Sequence, residues 1–120
     1  MYKSFKDLPI WKEAMDIAEV VFRLSEAFPR KEDYGLTSQI RRSTVSIAAN
    51  IAEAFGRGHA ADKMKFYYYS RGSVTETQSH LEYAQRIGYL PADVAKGLDN
   101  RLESLHTSLN KVLATLRLSQ

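Results

Sequence analysis

The chemistry open to this chain is set first by its scarcest reactive residues. Three histidines and no cysteine stand among its 120 residues, so thiolate nucleophiles, thiolate metal sites and disulfides are all out of reach. Histidine moves protons near neutral pH, and two spacings around His106 invite a catalytic role. In Arg101-Leu-Glu-Ser-Leu-His106 a guanidinium and an imidazole stand five residues apart. The chemistry such a pair offers is proton transfer by the imidazole beside a cationic guanidinium. Leu102, directly after the arginine, lies in an apolar stripe, which speaks against a reactive surface there. In Glu103-Ser-Leu-His106 the Glu-x-x-His spacing is that of carboxylate-bridged di-metal bundles. Those need a second such pair and two more inward carboxylates. The near match, Glu76 with His80, is spaced four apart. Gly56-Arg57-Gly58 has neither a preceding strand nor the Lys-Ser/Thr pair of a phosphate loop. The expectation is a non-enzymatic chain with no cofactor, no metal and no small-molecule substrate. His106 is expected on the surface of its helix and His59 in a turn.

Charge offers a second kind of chemistry. The net charge is +3, from 17 basic and 14 acidic residues. Between Arg41 and Arg71 lie six basic residues (Arg41, Arg42, Arg57, Lys63, Lys65, Arg71) and two acidic ones (Glu53, Asp62). That stretch therefore carries +4 and the remainder −1. A charge run is usually a solvated face. The functional alternative is phosphate binding by Arg41, Arg57, Lys63, Lys65 and Arg71, with little sequence preference. Phe66 and the run Tyr67-Tyr68-Tyr69 stand among them. Three consecutive side chains on a helix point about 100° apart, so one face does not bury all three rings. At least one is expected to be exposed or held in a subunit contact, which is preferred here to base stacking.

The elements that position these residues are helical. With three prolines and six glycines, the chain lacks the turn signals of a β-sandwich. No uncharged run approaches a membrane span, and Lys3, Lys6 and Asp7 lead into no signal-peptide core. A cytoplasmic, membrane-free protein is expected. Four helices are predicted, over about 8–28, 36–56, 61–88 and 91–118, in a single domain. The first starts at Pro9 with Asp7 as its cap and carries the seam Leu8, Trp11, Met15, Ala18, Phe22 and Ser25; Pro29 ends it. The second buries Leu36, Ile40, Thr44, Ile47, Ile51 and Phe55 and stops at Gly56. The third runs to Gly88, with Asp62 its only candidate cap. The fourth, from Pro91, carries Leu98, Leu102, Leu105, Leu109, Val112 and Leu116 at a 3.5-residue average. Short connections make this an all-α, antiparallel up-and-down four-helix bundle.

Helix two holds more than one stripe. Gln39, Arg42, Ser46, Asn50, Glu53 and Arg57 recur every three or four residues and form a polar row. Val45, Ala48, Ala49 and Ala52 make a further small apolar side. Helix three carries Ser70, Gly72, Ser73, Thr77 and Ala84 in mid-helix, so the two helices are expected to pack closely. Arg71 and Glu76 are expected to pair with Glu53 and Arg42, joining Gln39, Ser46 and Asn50 in a polar network that fixes register or assembly.

The segment Leu36-Thr-Ser-Gln-Ile-Arg-Arg-Ser43 followed by Ser46-Ile-Ala-Ala-Asn-Ile-Ala-Glu53 resembles the four-helix-bundle proteins encoded in 23S ribosomal RNA intervening sequences. So do Phe5-Lys-Asp-Leu8 with Trp11, and Arg71-Gly72-Ser73 with Glu76. The likeness covers essentially the whole chain. Ala54 departs from the glycine usual there, and Ala60 stands near a customary serine cap; both touch the turn between helices two and three. The resemblance implies an antiparallel bundle that assembles as a homopentamer with a basic surface and no established catalysis. It is also similar to the accessory proteins of diversity-generating retroelements. That likeness implies a partner of structured RNA, or an RNA–DNA hybrid with its polymerase. Arg101 and His106 are also similar to the Arg-x4-His pattern of helical toxin–antitoxin ribonucleases, which usually place a polar residue where Leu102 stands. A pure protein–protein scaffold is the other alternative.

Overall fold

The computed structural model describes all residues, Met1–Gln120. It contains four α-helices and no strand: α1 (Pro9–Ser25), α2 (Leu36–Phe55), α3 (Ala60–Arg86) and α4 (Ala92–Leu118). The molecule is a rod of 46 × 22 × 20 Å, about as long as its longest helices at 1.5 Å per residue. Neighbouring helices run antiparallel: Ser43, Ser46 and Ile47 of α2 meet Thr77, Ser73 and Ser70 of α3 in reverse order. No helix is long and apolar enough to cross a membrane.

The helix ends differ in places from what the sequence predicts. Asp7 does not cap α1. It closes a reciprocal box with Ser4 over a 3₁₀ turn at Phe5–Asp7, leaving Leu8 to precede Pro9 with no side-chain cap. Nor does Pro29 end α1. The helix stops at Ser25, and Ala27 and Phe28 bond three residues back to Leu24 and Ser25. This tighter winding buries Phe28, whose ring meets Tyr89 with centroids 5.4 Å apart. Glu32 then serves the start of α2: one carboxylate oxygen accepts the Leu36 amide and the other the Tyr89 hydroxyl. That second bond raises the Tyr89 pKa, because it favours the protonated phenol. No side chain caps α3, which Asp62 enters in its first turn. Its far end closes at Gly88, whose φ of +88° suits glycine. Gly88 and Tyr89 donate their amides back to Gln85 and Ala84, satisfying the last carbonyls.

One continuous core lies along the rod, built from Ile17, Val21, Ile40, Ile47, Ile51, Val74, Leu81, Leu102, Leu109 and Leu113 among others. Two predicted seams shift. On α1 the buried face is Ala14, Ile17, Ala18, Val21 and Ser25, whereas Trp11 and Met15 are half-buried and Phe22 is 50% exposed. On α4 the stripe passes through Leu113 instead of Val112 and Leu116. Leu102 and Leu113 are eleven residues apart, about 20° on a straight helix, so α4 follows the helix's own period and not a strict heptad.

Ser70, Thr77 and Ala84 are fully buried, and the first two bond to α2 across the α2–α3 seam. Gly72 is not there. It faces solvent, and a Cβ built on it meets nothing within 4 Å.

Candidate nucleic-acid interface

The turn between α2 and α3 brings three of the five candidate phosphate-binding residues together. Lys63 Nζ donates to the carbonyls of Ala54 and Phe55 at 3.1 and 3.2 Å, meeting the negative end of α2. Arg57 lies over the Phe66 ring at 4.6 Å and pairs with Glu53 at 3.0 Å. Lys65 Nζ is 5.9 Å from the same ring and forms no ion pair or hydrogen bond. Nearly two turns further along α3, Arg71 lies over Tyr68 at 4.9 Å and donates to Asn110. Arg117, near the end of α4, donates to the Tyr68 hydroxyl at 2.9 Å. This fifth cation escapes the sequence reading because only the fold returns α4 to Tyr68.

Arg41 stands apart from this cluster. It precedes Arg57 by sixteen residues, about 24 Å along α2. Its guanidinium donates to Ser25 Oγ at 2.7 Å and lies over Phe22 at 4.5 Å. The negative end of α1 attracts it there: it also donates at 3.4 Å to the Phe22 carbonyl, which already accepts the Ser25 hydroxyl.

The tyrosine run divides as helical geometry requires. Tyr67 is buried, and burial raises its pKa. Tyr68 is half-buried between Arg71 and Arg117. Tyr69 is 51% exposed, its ring perpendicular to Phe66 with centroids 5.7 Å apart.

The expected polar network forms only in part. Asn50 donates to the Ser46 carbonyl and hydroxyl, and Ser73 reaches Ser46 from α3. The cross-helix ion pairs do not form. Glu53 pairs with Arg57 and Glu76 with His80, each one turn along its own helix, where an i, i+4 partner is nearest. Gln39, Arg42 and Glu76 instead line a groove of about 300 Å³ with Tyr34 and Ser38. What joins α2 to α3 is a hydroxyl ladder that the charged residues obscure in the sequence. Thr77 meets Ser43 at 2.8 Å, Ser73 meets Ser46 at 3.0 Å, and Ser70 donates to the Ile47 carbonyl at 2.8 Å.

The two spacings around His106 resolve differently from one another. Arg101 is held by both Glu13 carboxylate oxygens, at 3.1 and 2.8 Å, the one ion pair between helices. That bonding raises its pKa further. His106 bonds Asn110 on the α3 side of the same helix, and five residues turn a helix by about 140°. Arg101 and His106 therefore do not converge on one phosphate. Glu103 accepts from Gln78, and no group of three metal-binding side chains occurs.

Among solved structures, the chain resembles a protein of unknown function from the S23 ribosomal protein family of Bacteroides thetaiotaomicron VPI-5482. The TM-score is 0.80 at 22% identity, covering 87% of this chain and 97% of that one. At that identity the likeness supports the fold alone. No curated protein matches the chain. The model of the 23S rRNA-intervening sequence protein family matches residues 6–111. A bundle of this build, matched over nearly its whole length, belongs to the 23S rRNA-intervening sequence protein family.

Proposed function

We propose that this protein is a non-catalytic, homo-oligomeric helical bundle whose basic end binds the phosphates of structured RNA, or of an RNA–DNA hybrid beside its polymerase, as an accessory factor. The observation that carries this reading is the gathering of Arg57, Lys63, Lys65, Arg71 and Arg117 around Phe55, Phe66 and Tyr68. Glu53 is the only carboxylate paired with any of them. Counting Glu53 and Asp62, this cluster holds five of 17 basic and two of 14 acidic residues, which leaves twelve of each elsewhere. The whole net charge thus resides here. Aromatic faces hold the cations in place without neutralising them, which suits a surface that must meet phosphate.

Oligomerisation rests on α1 and α2. Met15, Ala18, Phe22 and Val45 line an apolar groove between Glu19 and Arg23, and Phe22 and Val45 are 50% and 58% exposed. The resemblance sets the expected number at five copies.

The test is fluorescence anisotropy of a labelled RNA hairpin across a salt series. Affinity should fall steeply with salt, by about 0.7–0.9 in log–log slope per phosphate contact. Lys63→Gln/Lys65→Gln should bind more weakly with a shallower slope, as should Lys65→Gln/Arg117→Gln, which keeps the α2 cap. Unchanged binding of these variants at every salt would sink the assignment of this patch, and negligible, salt-insensitive binding by wild type would favour a protein–protein scaffold. The RNA should remain full-length throughout, with wild type and His106→Ala alike; cleavage lost only in the variant would restore the ribonuclease reading.

A further inference from the structure

Gly72 is an anomaly within the chain. A mid-helix glycine costs about 1 kcal/mol relative to alanine, and here nothing requires it: φ is ordinary, and a Cβ would enter open space. What the missing side chain does is leave its neighbours bare. Helical side chains lean back toward the N-terminus, so a residue at 72 would lie over Tyr69, three residues earlier, and Tyr68, four earlier. Tyr68 is already engaged by Arg71 and Arg117, and Tyr67 is buried. Tyr69 is the ring of the run with surface to offer. Its perpendicular contact with Phe66 fixes it in place. One turn before it, about 40° round the helix, stands Lys65, free of any carboxylate.

We propose that Tyr69 and the bare turn at Gly72 form a stacking platform for one unpaired nucleobase, with Lys65 holding an adjoining phosphate. The proposal rests on the RNA-binding reading above and names the class of RNA: one presenting a bulged or single-stranded nucleotide, not a continuous duplex. A flat, rigid, half-exposed ring with a cation one turn away fits a base with its phosphate. An apolar protein surface would leave that cation unanswered. Any base has a π-face, so the platform selects for unpairing and not for sequence.

The experiment compares two hairpin RNAs with the same stem, one fully paired and one with a single 2-aminopurine bulge. Wild type should bind the bulged RNA roughly tenfold more tightly, within the range of one stacked base, and should quench the 2-aminopurine. Tyr69→Ala should lose the preference and the quench while keeping the stem affinity and its salt slope; Tyr69→Phe should keep all four. Gly72→Leu should lose the preference while raising the thermal midpoint, so misfolding does not explain the loss. Equal affinity of wild type for both RNAs, with steep salt dependence intact, overturns the platform and leaves phosphate binding standing. Salt-insensitive or negligible binding of both overturns the two together. If Gly72→Leu lowers the particle mass in light scattering and the bulge preference survives, the bare turn serves a second copy of the chain and the platform is wrong.

Discussion

Lys63 and Lys65 stand two residues apart on α3 and carry the same charge, but the fold gives them different work. Lys63 spends its ammonium on two carbonyls ending α2; that of Ala54 also accepts the Arg57 amide, while the end of the helix dipole favours a cation there. Lys65 has no hydrogen-bonding partner and only the flank of Phe66. Lys63→Met should therefore lower unfolding stability by about 1 kcal/mol, and Lys65→Met should leave it within about 0.5 kcal/mol. Urea titration of the two variants checks this directly. A third residue tests the same accounting in reverse. Thr37 is buried near the start of α2, and its hydroxyl has no hydrogen-bond partner. Thr37→Val keeps the shape and removes the unmet polar atom, so stability should rise by about 1 kcal/mol in the same titration.

The α2–α3 pair shows how two helices can be fixed in register without charge. Hydroxyls at Ser70, Ser73 and Thr77 repeat at helical spacing and meet Ser43, Ser46 and the Ile47 carbonyl. Thr77→Val should cost about 1 kcal/mol, and a cycle with Ser43→Ala should show coupling of at least about 0.5 kcal/mol, since the two oxygens touch. The same helix carries a pH-dependent contribution. Burial raises the Tyr67 phenol above its usual value, so the folded chain keeps that proton longer than the unfolded chain. Its contribution is complete below the unfolded value of about 10 and is lost as pH rises through the folded one. Tyr67→Phe should remove that alkaline limb from a plot of stability against pH. At this scale the sequence was most legible. Periodicity places Ile40, Ile47 and Ile51, and Leu98 through Leu109, in the core because a helix has one dominant period. It misplaces Phe22 and Gly72, whose types match a buried stripe while their rotation about the axis, set by neighbouring helices, turns them outward. Arg41 stands apart from the other candidates for a related reason. Charge alone says nothing of the α1 carbonyls that the fold brings beside it.

Across the whole molecule the open question is what covers the groove at Met15, Phe22 and Val45, and the answer governs the electrostatics. One chain at +3 attracts phosphate weakly. A ring of five would carry about +15 on a surface that extends the field and meets several phosphates at once. A ring with an odd number of copies uses two different patches of each chain, because a self-complementary patch closes at two. A single substitution in one patch should then open every contact of the ring. Val45→Arg is the sharpest choice: Val45 is 58% exposed, so the fold has little need of it, and the new charge stands one turn from Arg41 and beside Arg42. Light scattering should show wild type near five times 13.7 kDa and the variant near a single copy, with circular dichroism unchanged. Anisotropy against the same hairpin should then give a shallower salt slope for the variant, although the five cations at the α2–α3 end are untouched. If mass falls and the slope does not, each chain binds RNA alone and assembly serves another purpose. If mass stays high, the groove is not the seam between copies.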